Sequence, residues 1–188
     1  MIARRRMVGA VPKRRGEGGV WLLVLGALLL ASHLGQASTA AKPAADGKRS
    51  SPSAAASSRM AARAVAYARG QLGKPYRWGA DGPAAFDCSG LAGAAWRAGG
   101  LGWPDMTAAG QWRWLHDRGR DVPRQALKPG DLTFYAYRAS DWRSIHHVAI
   151  YVGGGRMIEA PFAGALIRQV PLRTRGWFGA ARPGGGGR

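Results

Sequence analysis

From residue 59 onward the spacing of apolar positions changes twice, and each change marks an element. Met60, Ala64, Tyr67, Ala68 and Leu72 recur every three or four residues, which predicts an amphipathic helix over 59–72. A stretch rich in Gly, Pro and Asp follows between Gly73 and Pro83 and predicts a loop. The apolar run Leu91 to Ala98 ends at Gly99-Gly100, so a second helix is expected from Cys88 to about Ala98. Thr107 is placed to cap a third helix ending near Asp117, with Ala108, Trp112 and Leu115 on its buried side. Beyond the turn Lys128-Pro129-Gly130-Asp131 the period falls to two. Strands are predicted at Leu132 to Ala136, His146 to Val152, Arg156 to Ala160 and Ala165 to Val170, with a short edge strand at Trp177 to Ala181. Helices first and strands afterwards predict an α+β fold, its N-terminal helices packed on a small antiparallel sheet.

The first 58 residues follow a different pattern. Arg4, Arg5, Arg6, Lys13, Arg14 and Arg15 precede the apolar run Val20 to Ala31, and small residues follow at Ala37 to Ala40. That order predicts an export signal over residues 1–40, hence a secreted or wall-associated protein; the run is shorter than the roughly 20 residues of a spanning helix, and an uncleaved anchor is the alternative. Residues 41–58 mix Ala, Ser, Pro and charge without periodicity and are expected to be a flexible linker. The domain is then bounded at 59–183, with a disordered tail at 184–188.

Charge narrows the partners. The chain of 188 residues carries a formal charge of +18; residues 59–188 hold 19 Lys and Arg against 8 acids and remain strongly basic. An anionic cell wall fits that charge, and so does nucleic acid. No helix-turn-helix pattern, zinc spacing or aromatic-rich RNA-binding strand supports the second. The sequence offers no metal-ligand cluster and the chemistry below needs no cofactor.

Candidate chemistry centres on Phe86-Asp87-Cys88-Ser89-Gly90-Leu91. Cys88 is the single cysteine. Asp87 can cap the helix it opens, leaving the thiol in the first turn, where free N–H groups and the helix dipole are expected to lower its pKa. Polar neighbours on both sides favour a nucleophile over a buried hydrophobe. A base is available in the strand His146-His147-Val148-Ala149-Ile150-Tyr151-Val152. His147, Ala149 and Tyr151 share one face, and His146, Val148, Ile150 and Val152 the other. A hairpin symmetric about Gly153 sets His147 directly opposite Glu159, near enough for the carboxylate to orient the imidazole. Small Ala149, on the His147 face, is expected to let the nucleophile helix pack close. His146 is the weaker candidate. The loop before Cys88 brings Tyr76 and Trp78 toward it, either as packing aromatics or as substrate contacts.

Asp-Cys-Ser-Gly-Leu at 87–91, preceded by Pro75-Tyr76-Arg77-Trp78-Gly79, resembles the NlpC-type bacterial cell-wall endopeptidases, and the resemblance runs from about Arg59 to Pro183. It implies a papain-like core with the nucleophile helix against the sheet. It implies Cys88 as nucleophile and selects His147, which immediately precedes the Val-Ala-Ile-Tyr pattern, as base. Tyr76 would lie beside the nucleophile in a substrate or oxyanion role, while Trp78 stays open between packing and substrate binding. Asp87 and Ser89 belong to the same oxyanion and substrate-binding surroundings. The family's third position is variably polar, often His, so Glu159 departs from the commonest choice. The implied substrate is a peptide stem of peptidoglycan, cut between D-glutamate and a diamino acid by a monomeric enzyme. Two other readings use the same residues or none of them: acyl transfer or another amidase reaction at the Cys–His pair, or a non-catalytic basic wall-binding protein.

Overall fold

The structure, a computed structural model, describes residues 51–185. The export-signal segment 1–40, residues 41–50 of the expected linker and residues 186–188 of the tail lie outside them.

Helix α1 runs Pro52–Arg69 and so begins inside the stretch expected to be linker. The reason is local chemistry without periodicity. The Ser51 hydroxyl accepts the Ala54 N–H at 3.3 Å, Pro52 occupies the first turn, and Ala54, Ala55 and Ala56 follow. Alanines favour helix strongly but give no amphipathic signal. Helix α2 spans Cys88–Gly99, capped by Asp87 and closed by left-handed Gly100. Helix α3 spans Ala108–His116, with the Thr107 hydroxyl accepting the Gly110 N–H at 3.2 Å.

Five strands follow: β1 Leu132–Ala136, β2 Ile145–Gly153, β3 Arg156–Glu159, β4 Arg168–Pro171 and β5 Trp177–Ala181. They form one sheet in the order β4-β3-β2-β1-β5, every neighbouring pair antiparallel. The architecture is α+β with the histidine-bearing strand at its centre. β4 starts later than the expected Ala165 to Val170, because residues 165–167 bond elsewhere. The Ala165 carbonyl accepts from the Tyr76 N–H at 2.9 Å, the Ile167 carbonyl accepts from Gly73 at 2.9 Å, and the Ile167 N–H donates to Lys74 at 2.8 Å. That strap fixes the loop carrying Tyr76.

The β2–β3 hairpin is not symmetric about Gly153. Ile150 pairs with Ile158, Tyr151 with Met157, and an irregularity beside the turn sets Gly153 against Arg156. Continued along this register, Glu159 falls opposite Ala149 instead of opposite His147. The offset is two residues, so the face is preserved and His147 and Glu159 meet diagonally.

The helices cover one face of the sheet. Leu91, Ala92, Ala95 and Trp96 of α2 share the main core with Val148 and Ile150 of β2. Ala149 lies in a second cluster with Tyr135 and Met157. The small side chain at 149 therefore does not serve the close packing of α2. That role falls to Gly99, where a Cβ would stand 2.7 Å from the Met60 carbonyl oxygen of α1.

Candidate active site

Asp87 holds the start of α2 with both carboxylate oxygens. Oδ1 accepts the Gly90 N–H at 2.7 Å and the Ser89 hydroxyl at 2.9 Å, and Oδ2 accepts the Gly79 N–H at 2.9 Å. The cap thus ties the Trp78-Gly79 loop to the helix that carries Cys88. Gly90 is required by a close approach: a Cβ there would lie 2.2 Å from the Ala80 carbonyl oxygen. Gln111, buried on α3, donates to the Ser89 carbonyl at 2.8 Å and holds the first turn from the far side. Sequence reading missed Gln111, although a glutamine in the series Ala108, Gln111, Trp112, Leu115 occupies a core-facing position and is the signal for it.

The Cys88 thiol is half-buried and unpaired in any disulfide. Burial pushes its pKa up to about 11; the N–H groups of Val148, Ser89 and Cys88 pull the other way, and the Asp87 charge adds to the rise. The expectation of a lowered thiol pKa is therefore overturned. The helix-start N–H groups act in the expected direction, and desolvation outweighs them. At rest the sulfur is a thiol, so forming the nucleophile requires a base.

Tyr76 is half-buried beside this thiol. Burial raises its pKa, with further rises from Cys88 and Asp87, which keeps its hydroxyl protonated and able to donate. Trp78 is 84 % exposed, which removes the reading of a packing aromatic.

His147 and Glu159 are both buried. The imidazole Nε2 lies 2.9 Å from Glu159 Oε2. An ionised carboxylate only accepts, so Nε2 carries the hydrogen and Nδ1 holds the lone pair of the neutral ring. Two residues not anticipated from the sequence complete the cluster. Arg168 donates to Glu159 Oε1 at 3.1 Å, and Arg173 lies 3.0 Å from Oε2. Burial alone would raise the Glu159 carboxyl, but His147, Arg173 and Arg168 more than offset it and the pKa is lowered. Arg168 was within reach of sequence reading, since it sits directly opposite Glu159 on β4. Arg173, beyond the end of β4, gave no such signal. His146 is exposed and stacks on Tyr137 with ring centroids 3.9 Å apart.

These groups line two neighbouring hollows. Cys88, Asp87, Ser89, Tyr76 and Trp78 line an open cleft of about 1160 Å³. His147 lines a neighbouring pocket of about 750 Å³ with Tyr135, Arg173 and Arg175. Tyr137, His146, Pro161 and Phe162 belong to both. The N–H of Val148, the residue after His147, acts on the Cys88 sulfur. Among the described residues no group of three or more His, Cys, Asp or Glu could hold a metal ion.

Residues 73–181 match the model of the NlpC/P60 family. The chain is 37 % identical over 112 residues to a probable endopeptidase p60 of Listeria grayi, covering 60 % of this chain and 20 % of that protein. It is 40 % identical over 101 residues to the gamma-D-glutamyl-L-lysine dipeptidyl-peptidase of Bacillus subtilis, covering 54 % of this chain and 32 % of that one. The chain thus spans about a third or less of the length of these relatives. An NlpC/P60 family protein from Bacillus cereus superposes with a TM-score of 0.58 at 32 % identity, over 65 % of this chain and 40 % of its own.

Proposed function

The chain belongs to the NlpC/P60 family, and from that premise we propose that it is a cysteine peptidase hydrolysing an amide in the peptide stems of bacterial peptidoglycan, with Cys88 as nucleophile, His147 as base and Glu159 as the group orienting the base. The observation that carries this is the buried contact of 2.9 Å between His147 Nε2 and Glu159, on the strand whose next residue reaches the Cys88 sulfur.

The contact at Nε2 supports a first step at the other ring nitrogen. Glu159 occupies Nε2–H, so Nδ1 takes the Cys88 proton and an imidazolium–thiolate pair forms. The thiolate attacks the amide carbon. The N–H groups at the start of α2, with the Tyr76 hydroxyl, stabilise the oxygen that becomes negative. The imidazolium then protonates the leaving amine as the C–N bond breaks. A water molecule, deprotonated by the same nitrogen, attacks the thioester, releases the acid and returns the thiol. Glu159 stabilises the imidazolium and exchanges no proton itself. Trp78, exposed on the cleft, offers a flat apolar face to the substrate.

The bond between D-glutamate and a diamino acid is the specificity favoured by the Bacillus subtilis relative's name. An exported, monomeric enzyme fits this reading, with residues 1–40 as the export signal and the basic surface drawn to anionic wall polymers. Incubating purified peptidoglycan with the full chain and following soluble fragments by mass spectrometry tests the proposal. The expected result is new peptide fragments with the wild type and none with Cys88→Ala. Equal release by the two proteins would overturn it.

A further inference from the structure

Two buried polar atoms that line the Cys88 cleft have no partner among the described residues. Gln111, 1 % accessible, donates from Nε2 to the Ser89 carbonyl at 2.8 Å and to the Met106 carbonyl at 3.4 Å. Two carbonyl acceptors fix the orientation of the side-chain amide, and its Oε1 is left accepting nothing. Trp103, 6 % accessible, leaves its indole N–H without an acceptor. Both side chains line the cleft that holds Cys88. The Trp103 ring lies against Gly93, where a Cβ would stand 3.0 Å from Cδ1 and 3.3 Å from Nε1. Ser89, which anchors Gln111, is one helical turn from Gly93 on the same face of α2. One unmet donor and one unmet acceptor therefore share a side of the cleft, just along the helix from the sulfur. A buried polar atom left unmet is costly, so a ligand that meets both gains on entry. The charge around them is acidic on balance. Arg97 is the cation on this side, and Asp81 and Asp105 already hold it at 3.4 Å and 2.9 Å.

On the proposed mechanism the leaving amine sits at the imidazole that protonates it, and the acyl half of the substrate stays beside Cys88. In a γ-linked glutamyl amide that half carries its own α-carboxyl group, as a carboxylate or as a carboxamide. We propose that Trp103 and Gln111 form a subsite that reads a primary carboxamide there, so the enzyme prefers a γ-linked D-glutamyl residue whose α-carboxyl is amidated over one whose α-carboxyl is free. This deepens the peptidase reading and rests on it. A primary carboxamide accepts through its oxygen and donates through its nitrogen, which matches the Trp103 N–H and Gln111 Oε1 one for one. A carboxylate only accepts. It would satisfy the indole and set its second oxygen against Gln111 Oε1, close to Asp81 and Asp105 as well, and both contacts are repulsive.

The test separates binding from turnover. Three synthetic tripeptides of alanine, γ-linked D-glutamate and C-terminally amidated lysine serve as probes. The glutamate α-group is a carboxamide, a free carboxylate or a methyl ester, the ester being uncharged but unable to donate. Titrated into the full chain carrying Cys88→Ala, the carboxamide peptide should bind about tenfold tighter than either of the others, the scale of one hydrogen bond lost with a buried acceptor left unmet. The preference over the ester should vanish when Gln111→Leu is added. That change also removes the contact with Ser89, so Trp103→Phe supplies a second arm: it keeps an aromatic ring over Gly93, loses the N–H, and should weaken the carboxamide peptide about fivefold. Equal affinities for carboxamide and ester, a carboxylate peptide that binds as tightly, carboxamide affinity unchanged by Trp103→Phe, or no detectable binding of the carboxamide peptide would each overturn the subsite. Wild-type enzyme is assayed on the same peptides. A carboxamide preference without cleavage would sink the peptidase reading and leave the subsite standing, and cleavage with equal affinities would do the reverse.

Discussion

Cys88 carries the sharpest consequence at the residue scale. A thiol held up to about 11 by burial gives almost no free thiolate at neutral pH. On the proposed mechanism its reactivity there comes from proton transfer to His147. Alkylation of the wild type by iodoacetamide should show a component near neutral pH, and His147→Ala should lose it and react only as pH nears 11; superimposable pH profiles would remove His147 as the base. Glu159 gives a graded series. Glu159→Gln keeps an acceptor for Nε2–H and loses the charge that favours imidazolium, so it should retain more kcat/KM than Glu159→Ala. Both should stay above His147→Ala, for which a loss of about 10²–10⁴ is expected. The same carboxyl couples to stability. Its folded pKa lies below the ordinary 4.5, so its contribution is present above that value and is lost as pH falls through the lowered one. The urea midpoints of wild type and Glu159→Gln should therefore converge as the solution is acidified below 4.5, and a gap that stays constant would contradict the linkage.

At the scale of elements, the start of α2 depends on a single side chain. Asp87 caps the helix, orients the Ser89 hydroxyl and holds the Gly79 N–H. Asp87→Ala should cost at least the usual value of about 1 kcal/mol for a lost cap, read from urea unfolding. It should also slow turnover by loosening the sulfur, whereas Asp87→Asn should recover most of the stability. Gly90→Ala tests the close approach beside it. Its Cβ would fall 2.2 Å from the Ala80 carbonyl, a backbone atom of the cleft loop, so the loop or the helix has to move. A Gly90→Ala variant with wild-type stability and activity would show that this contact is slack. The β2–β3 hairpin shows how much an element tolerates: a two-residue shift in pairing left His147 and Glu159 on one face, and a one-residue shift would have parted them.

The whole molecule is dominated by its charge. Bases outnumber acids 19 to 8 over residues 59–188, so pairing every acid with a base still leaves that stretch strongly basic. Such a surface draws the protein to an anionic polymer through long-range attraction that salt screens over about 10 Å at 0.1 M. The Cys88→Ala protein should pellet with purified anionic wall in low salt and be released steadily as sodium chloride is raised. Retention unaffected by salt would point to recognition of a neutral wall component instead.

Much of this protein was legible in its sequence because the deciding information is local. The order and type of the elements follow from apolar period, the helix starts at Asp87 and Thr107 from capping chemistry, and the shared face of His147 and Glu159 from the strict alternation of a strand. Three things were settled only in three dimensions. The direction of the Cys88 pKa depends on how much of the chain covers the sulfur, and a first-turn position says nothing about that. Arg173 reaches Glu159 from beyond β4, and no spacing rule links the two. The face of β2 that receives α2 was set by the packing of Leu91, Ala95 and Trp96 against Val148 and Ile150, so the small Ala149 misled. Periodicity reports which side chains share a face; desolvation and the meeting of distant charges depend on what the rest of the chain places against that face.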